Sequence, residues 1–145
     1  MPTMQQVADQ TLALIESADG AMIGLGDHQG VSYLWGAGAA VRNLGTRVDL
    51  DASLSGLAVR TREVVWSNDT TIDPRADIDA GRRISVRSAI CVPLVRGKDI
   101  FGVLTVTAPE ANAFTGADVA TLTGLADSLS AAIALARTPP PLAYG

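Results

Sequence analysis

The sequence predicts an α+β domain in which an antiparallel β-sheet lies between helices. Three observations carry this. Two runs rich in Val, Ile, Leu and Thr, 88–95 and 100–107, are joined by Arg96-Gly97-Lys98-Asp99, whose glycine and three charges suit an exposed hairpin connection. The two ends of the chain carry apolar residues at three- and four-residue steps, the period of a helix with one buried face. Helix, hairpin, short helices, hairpin and long helix follow one another without the alternating strand and helix units of a parallel sheet.

Met4, Val7, Ala8, Thr11, Leu14 and Ile15 recur at helical spacing, so 4–17 reads as an amphipathic helix, with Asp19-Gly20 as its stop. The strand 21–26 meets the turn cluster Asp27-His28-Gln29-Gly30 and returns as 31–36, a first hairpin. The segment 37–51 is rich in glycine and has no sustained period; it reads as a loop with at most one helical turn. Asp51 or Ser53 caps a short helix to about residue 61, and 64–66 follows as a short strand. The most polar stretch is 68–83, where Asp69, Asp73, Asp77 and Asp79 accompany Arg75, Arg82 and Arg83, with a short helix expected within 75–84. After the second hairpin, Thr115 is placed to cap a helix over 116–137. Val119, Leu122, Leu125, Ala126, Leu129, Ile133 and Ala136 form its apolar stripe, about 30 Å long at 1.5 Å per residue. Pro139-Pro140-Pro141 ends it, giving one domain over 1–137 and a proline-rich disordered tail over 138–145.

The run S-A-I-C-V-P-L (88–94), then G-V-L-T-V (102–106), a loop, and A-F-T-G-A-D-V (113–119) resembles the second half of a GAF domain. S-L-S-G-L-A (53–58) and V-V-W-S-N-D (64–69) continue the likeness upstream, so that it covers about residues 4–137. The resemblance implies a GAF-like antiparallel sheet, with the terminal helices on one face and short helices and loops on the other. A pocket is expected on the latter side.

At 145 residues the chain is large enough for one sizeable core, and its 48% hydrophobic and 18% charged content is that of a packed globular protein. A net charge of −4 offers no basic face for nucleic acid. No basic and apolar leader precedes residue 10, and no apolar run reaches the ~20 residues of a membrane span, so a cytoplasmic protein without a membrane partner is expected. The single cysteine rules out an internal disulfide and a multi-cysteine zinc site.

Several chemistries fail on inspection. Gly36-Ala37-Gly38-Ala39-Ala40-Val41 lacks the third glycine, the long helix and the distal acid of a dinucleotide fingerprint. His28 lies in a hairpin turn, a poor place from which to ligate haem inside a pocket. The aspartates of 69–79 do not match a calcium loop. Cys91 sits mid-strand without a neighbouring histidine and reads as a packing residue. GAF-fold reductases of free methionine sulfoxide use several cysteines where this chain has one. Phe114 and Asp118 match the cyclic-nucleotide GAF pattern, but Val119 replaces its glutamate and Lys98 does not follow an asparagine.

The residues expected to contact a ligand are Trp35 and Trp66 as stacking walls, Asp69, Arg83 and Arg87 from a lid over the pocket, and Ser88, whose hydroxyl faces either the pocket or the helices. Arg75 and Arg82 belong to the same lid. No catalytic residue, metal or cofactor is assigned. The expected function is a non-enzymatic sensory or regulatory domain that binds a small ligand and signals through its terminal helices. It would serve as the input module of a signalling protein of the diguanylate cyclase, phosphodiesterase or histidine kinase type, with a fused or separate output domain. The alanine-rich last helix predicts a homodimer. The alternatives are a thiol-dependent enzyme of the free methionine sulfoxide reductase type using Cys91, and a ligand-free dimerisation scaffold.

Overall fold

A computed structural model describes residues 2–135, so the expected tail 138–145 and the last two positions of the expected final helix lie outside the described residues. The helices are α1 (Met4–Leu14), α2 (Leu54–Thr61), α3 (Ile78–Arg83) and α4 (Gly116–Leu135). The strands are β1 (Gly20–Gly26), β2 (Gly30–Gly38), β3 (Arg47–Asp49), β4 (Val65–Ser67), β5 (Ser88–Arg96) and β6 (Asp99–Ala108). They form one antiparallel sheet in the order β3-β2-β1-β6-β5-β4.

Local chemistry sets the helix starts. Thr3 and Gln6 cap α1 reciprocally, the side chain of each accepting from the other's backbone N–H. Ser53 Oγ accepts from Gly56 N at 3.0 Å and caps α2, leaving Asp51 outside that role. The carboxylate of Asp118 accepts from Thr115 N at 2.9 Å at the start of α4. The first helix ends at Leu14 rather than at residue 17: the backbone turns extended at Ile15, and Gly20 already belongs to β1.

Both faces of the sheet are buried, and the two-residue period of a strand divides them. Ile90, Val92 and Leu94 of β5, with Leu104, Val106 and Ala108 of β6, face one core with Leu122, Ala126, Leu129 and Ile133 of α4. Val7 and Ala8 of α1, with Ile15 just after it, join this layer. Each buried Leu or Ile contributes about 1.5–3 kcal/mol, so the terminal helices are held chiefly by this stripe. The alternate residues Ala89, Cys91 and Val103 face a second core with Met22, Tyr33, Leu54 and Ala58. Terminal helices on one face and short helices with loops on the other is the layering expected from the sequence.

The segment 37–51 carries the helical turn its reading allowed and, beyond that reading, a short edge strand. Ala39–Asn43 forms a 3-10 turn, and Arg47–Asp49 pairs with Gly30–Ser32 as an edge strand. Arg47 secures that edge by an ion pair with Asp27 and by donating to Ser32 Oγ at 2.9 Å.

A bulge in β2 has the largest consequence for the site. Ile23 pairs with Trp35 and Gly24 with Tyr33, so the register skips Leu34. One extra residue reverses the alternation, and the chain presents Tyr33 to the second core but Trp35 to the first.

Candidate functional site

The second face of the sheet is incompletely filled. A chamber of about 100 Å³ lies over it, floored by Met22 of β1, Tyr33 of β2, Ala89 and Cys91 of β5, and Thr105 and Thr107 of β6. Leu54 and Ser55 at the start of α2 form one wall, and Ala76, Ala80 and Ile84 around α3 form the roof. It shares Met22, Tyr33, Val48, Asp77, Ala80 and Ile84 with an outer chamber of about 340 Å³ that reaches Asn43, Arg47 and Arg83. This inner-and-outer cavity is the candidate site.

Polar groups in the inner chamber are few and mostly engaged. The Tyr33 hydroxyl shares a hydrogen bond with Ser55 Oγ, which in turn lies 3.7 Å from Cys91 Sγ. Burial pushes the Tyr33 phenol well above its ordinary range and raises the Cys91 thiol, so both are neutral at physiological pH. Ser53 donates to Asp49 O at 2.6 Å, and Thr70 to Val86 O at 2.9 Å. Asp77 accepts from Ala80 N at 3.1 Å as the cap of α3. Thr105 Oγ1, on a residue only 2% exposed, has no oxygen or nitrogen partner and adjoins the Cys91 thiol, a weak hydrogen-bonding group.

The roof is lightly fastened. No residue of α3 is buried. The segment before it is tied down at its ends, where Thr70 N donates to Arg87 O at 2.8 Å and Asn112 N to Asn68 O at 2.8 Å. Arg75 makes a two-point contact with Asp73, at 3.0 and 2.7 Å, and donates to Trp66 O at 3.0 Å. Arg75 foremost holds the Asp73 carboxyl well below its ordinary range.

The structure places most of the expected ligand residues outside this cavity. Trp35 packs with the terminal-helix core because the bulge turns it away from the cavity. Trp66 pairs with Ile90, whose side chain lies in the terminal-helix core, and is 36% exposed at the sheet edge. Neither tryptophan lines the cavity. Asp69 and Arg87 form an ion pair at 2.7 Å; that pair and the bonds of Asp69 to Thr71 fasten the loop. Ser88 is buried and donates to Glu110 O at 2.7 Å, tying β5 to the loop before α4. Of the six, Arg83 alone borders the site, in the outer chamber and in an adjoining groove with Arg42 and Asn43. Of the other lid arginines, Arg82 lines a separate shallow depression with Arg87.

The residues that do line the inner chamber were missed for want of obvious chemistry. One signal was present in the sequence. In a strand buried on both faces, Thr105 and Thr107 repeat at two-residue spacing between Leu104, Val106 and Ala108, which marks one face as more polar than a core requires. Among the described residues no cluster of His, Cys, Asp and Glu is arranged to hold a metal, and no helix is long and apolar enough to cross a membrane.

A family model described as GAF domain matches residues 2–134. No curated protein matches the chain at a significant level. Among solved structures, the chain is similar to the GAF domain of a phosphoenolpyruvate-protein phosphotransferase from Coxiella burnetii, with a TM-score of 0.77 and 21% identity over 94% of this chain and 86% of that one. It is also similar to the GAF-B domain of DevS from Mycobacterium smegmatis, with a TM-score of 0.73 and 23% identity over 89% and 88% of the two chains. The type II free methionine-R-sulfoxide reductase from Thermoplasma acidophilum has a TM-score of 0.73 and 20% identity over 88% and 87%. This last similarity corrects the expectation of a non-enzymatic domain. The fold carries a reductase in that protein, so it does not support the absence of catalysis. With the family model spanning nearly its whole length, the chain belongs to the GAF domain family.

Proposed function

We propose that this GAF domain is a regulatory module that binds a small molecule in the inner-and-outer cavity and passes the bound state to its terminal helices. The observation that carries the proposal is the cavity itself, floored by four strands and roofed by a helix with no buried residue. A ligand that packs under Ala76, Ala80 and Ile84 stabilises the closed roof and shifts the population toward it. The strands β5 and β6 form the cavity floor with one face and the bed of α4 with the other, so a change in the floor reaches α4 through one layer of side chains. In a homodimer joined through α1 and α4, that change alters the geometry presented to an output domain, fused or separate, of the kind found in diguanylate cyclases, phosphodiesterases and histidine kinases. A cytoplasmic setting suits the free thiol of Cys91.

The test is a thermal-shift panel of nucleotides, amino acids and tetrapyrroles, followed by hydrogen exchange on any compound that stabilises. The expected result is a raised Tm with slowed exchange in residues 78–86. Absence of stabilisation by every compound would favour a ligand-free scaffold and overturn the proposal.

The position of Cys91 in the cavity floor favours a second reading, reduction of free methionine sulfoxide. The thiol would take the sulfoxide oxygen, releasing methionine and leaving a sulfenic acid. Two equivalents of an external thiol would then restore Cys91, forming their own disulfide and water. Burial, which keeps the thiol protonated, opposes this chemistry. Cys91→Ala separates the readings: it abolishes turnover under the second and leaves ligand-induced stabilisation under the first.

A further inference from the structure

We infer that the inner chamber selects a ligand whose buried end is uncharged and mostly apolar, and that Thr105 is the specificity-determining residue that hydrogen-bonds its single polar group. The inference rests on the ligand-binding reading above and adds the chemical class of the ligand.

Two observations define that class. The first is the orphaned hydroxyl. Thr105 Oγ1 lies in the chamber floor on a residue 2% exposed and has no oxygen or nitrogen partner, only the adjoining Cys91 thiol, a weak hydrogen-bonding group, although a buried hydroxyl left unpaired costs about 1–3 kcal/mol. Its polar neighbours are engaged elsewhere: Tyr33 with Ser55, Ser53 with Asp49 and Thr70 with Val86. A ligand group seated over Thr105 therefore meets a hydrogen-bonding atom that the protein itself satisfies with no more than the Cys91 thiol.

The second is the charge of the lining. The lining holds no lysine, arginine or histidine and one acidic side chain, Asp77, while burial keeps the Tyr33 phenol and Cys91 thiol neutral. A carboxylate or phosphate carried to the floor would lose its hydration, meet no cation in the lining and have Asp77 beside it. The arginine that borders the cavity, Arg83, stands in the outer chamber. An ionised group on the ligand would have to remain there, where the carboxylates of Asp49 and Asp77 also lie. The inner chamber, at about 100 Å³, is smaller than the ~150 Å³ cavity known to take benzene, so a single ring fills it and extends toward the outer one.

Phenol, toluene and benzoate are suitable probes, titrated at millimolar concentration into the folded protein and followed by the methyl resonances of Met22 and Ala89. Toluene and phenol should bind, with benzoate at least about tenfold weaker than phenol. Thr105→Val keeps the shape and removes the hydroxyl; it should weaken phenol by at least about fivefold, equivalent to ~1 kcal/mol, and leave toluene within about twofold. Thr105→Ser should retain most of the phenol affinity, which a merely structural role for Thr105 would not require. The inference is overturned if phenol is insensitive to Thr105→Val, if both probes weaken alike, or if benzoate binds as well as phenol. If toluene binds while any of these holds, the cavity reading stands and this inference alone fails. If no probe moves either methyl group, the cavity reading fails and this inference with it.

Discussion

Replacing Gly102 by alanine tests how tightly the centre of the sheet is built. Gly102 lies in β6 opposite Leu25 of β1, and a Cβ added there would sit 2.2 Å from the carbonyl oxygen of Gly24. Ordinary contact begins at 3.4 Å, so the two strands would have to part by 3.4 − 2.2 = 1.2 Å at that point. The obstructing atom is backbone, in a strand paired on both sides, and it cannot rotate away as a side-chain tip would. The cost should fall at the upper end of the range for overpacking, about 3 kcal/mol. For a domain of this size that lowers Tm by about 6–12 °C. Gly116→Ala is the control, because its added Cβ meets nothing within 4 Å and its φ is not positive. Thermal melts followed by circular dichroism, with urea titrations to confirm an unchanged slope, measure both variants. A Gly102→Ala protein melting within about 2 °C of the parent would refute the argument, since the β1–β6 pair would then be yielding rather than close-packed.

Other perturbations bear on the site and its supports. Cys91 should resist iodoacetamide at pH 8 in the native protein and react readily in urea, because burial raises its pKa and removes access; equal rates in both states would contradict its placement. The carboxyl of Asp69, held at about 2 by the hydrogen bond from Arg87 and then by those from Thr71, is depressed below its ordinary 3.8. A depressed carboxylate stabilises the fold above its unfolded pKa and loses that contribution as pH falls through the folded value, so Asp69→Asn should reduce the loss of Tm between pH 4 and pH 2. An NMR titration placing Asp69 at its ordinary value would show that the pair with Arg87 does not persist in solution. For the proposed dimer, Gly124→Arg on the exposed side of α4, where an added Cβ meets nothing, should convert a dimer to a monomer in light scattering. A parent protein that is already monomeric would remove the helix-joined homodimer from the proposal.

The sequence by itself determined the features that depend on neighbours along the chain. The Asp27–Gly30 and Gly97 turns, the Ser53 and Thr115 caps and the stripe of α4 are all readable because a turn or a cap acts within about four residues. Two-residue alternation in β5 and β6 likewise announced the sheet, and with the GAF likeness its layering. What only the tertiary structure decided was direction and pairing over long separations. The edge strand Arg47–Asp49 exists through its bonds to Gly30–Ser32 and the ion pair of Arg47 with Asp27, which no local pattern in 37–51 expresses. Arg87 and Ser88 looked available for a ligand until Asp69, 18 residues upstream, and Glu110, 22 downstream, engaged them. The two tryptophans carried the most conspicuous chemistry and lie outside the cavity, because a strand's alternation says which residues share a face but not which face is hollow. In β2 a single unpaired residue, Leu34, reversed even that alternation and left Tyr33, rather than Trp35, over the cavity.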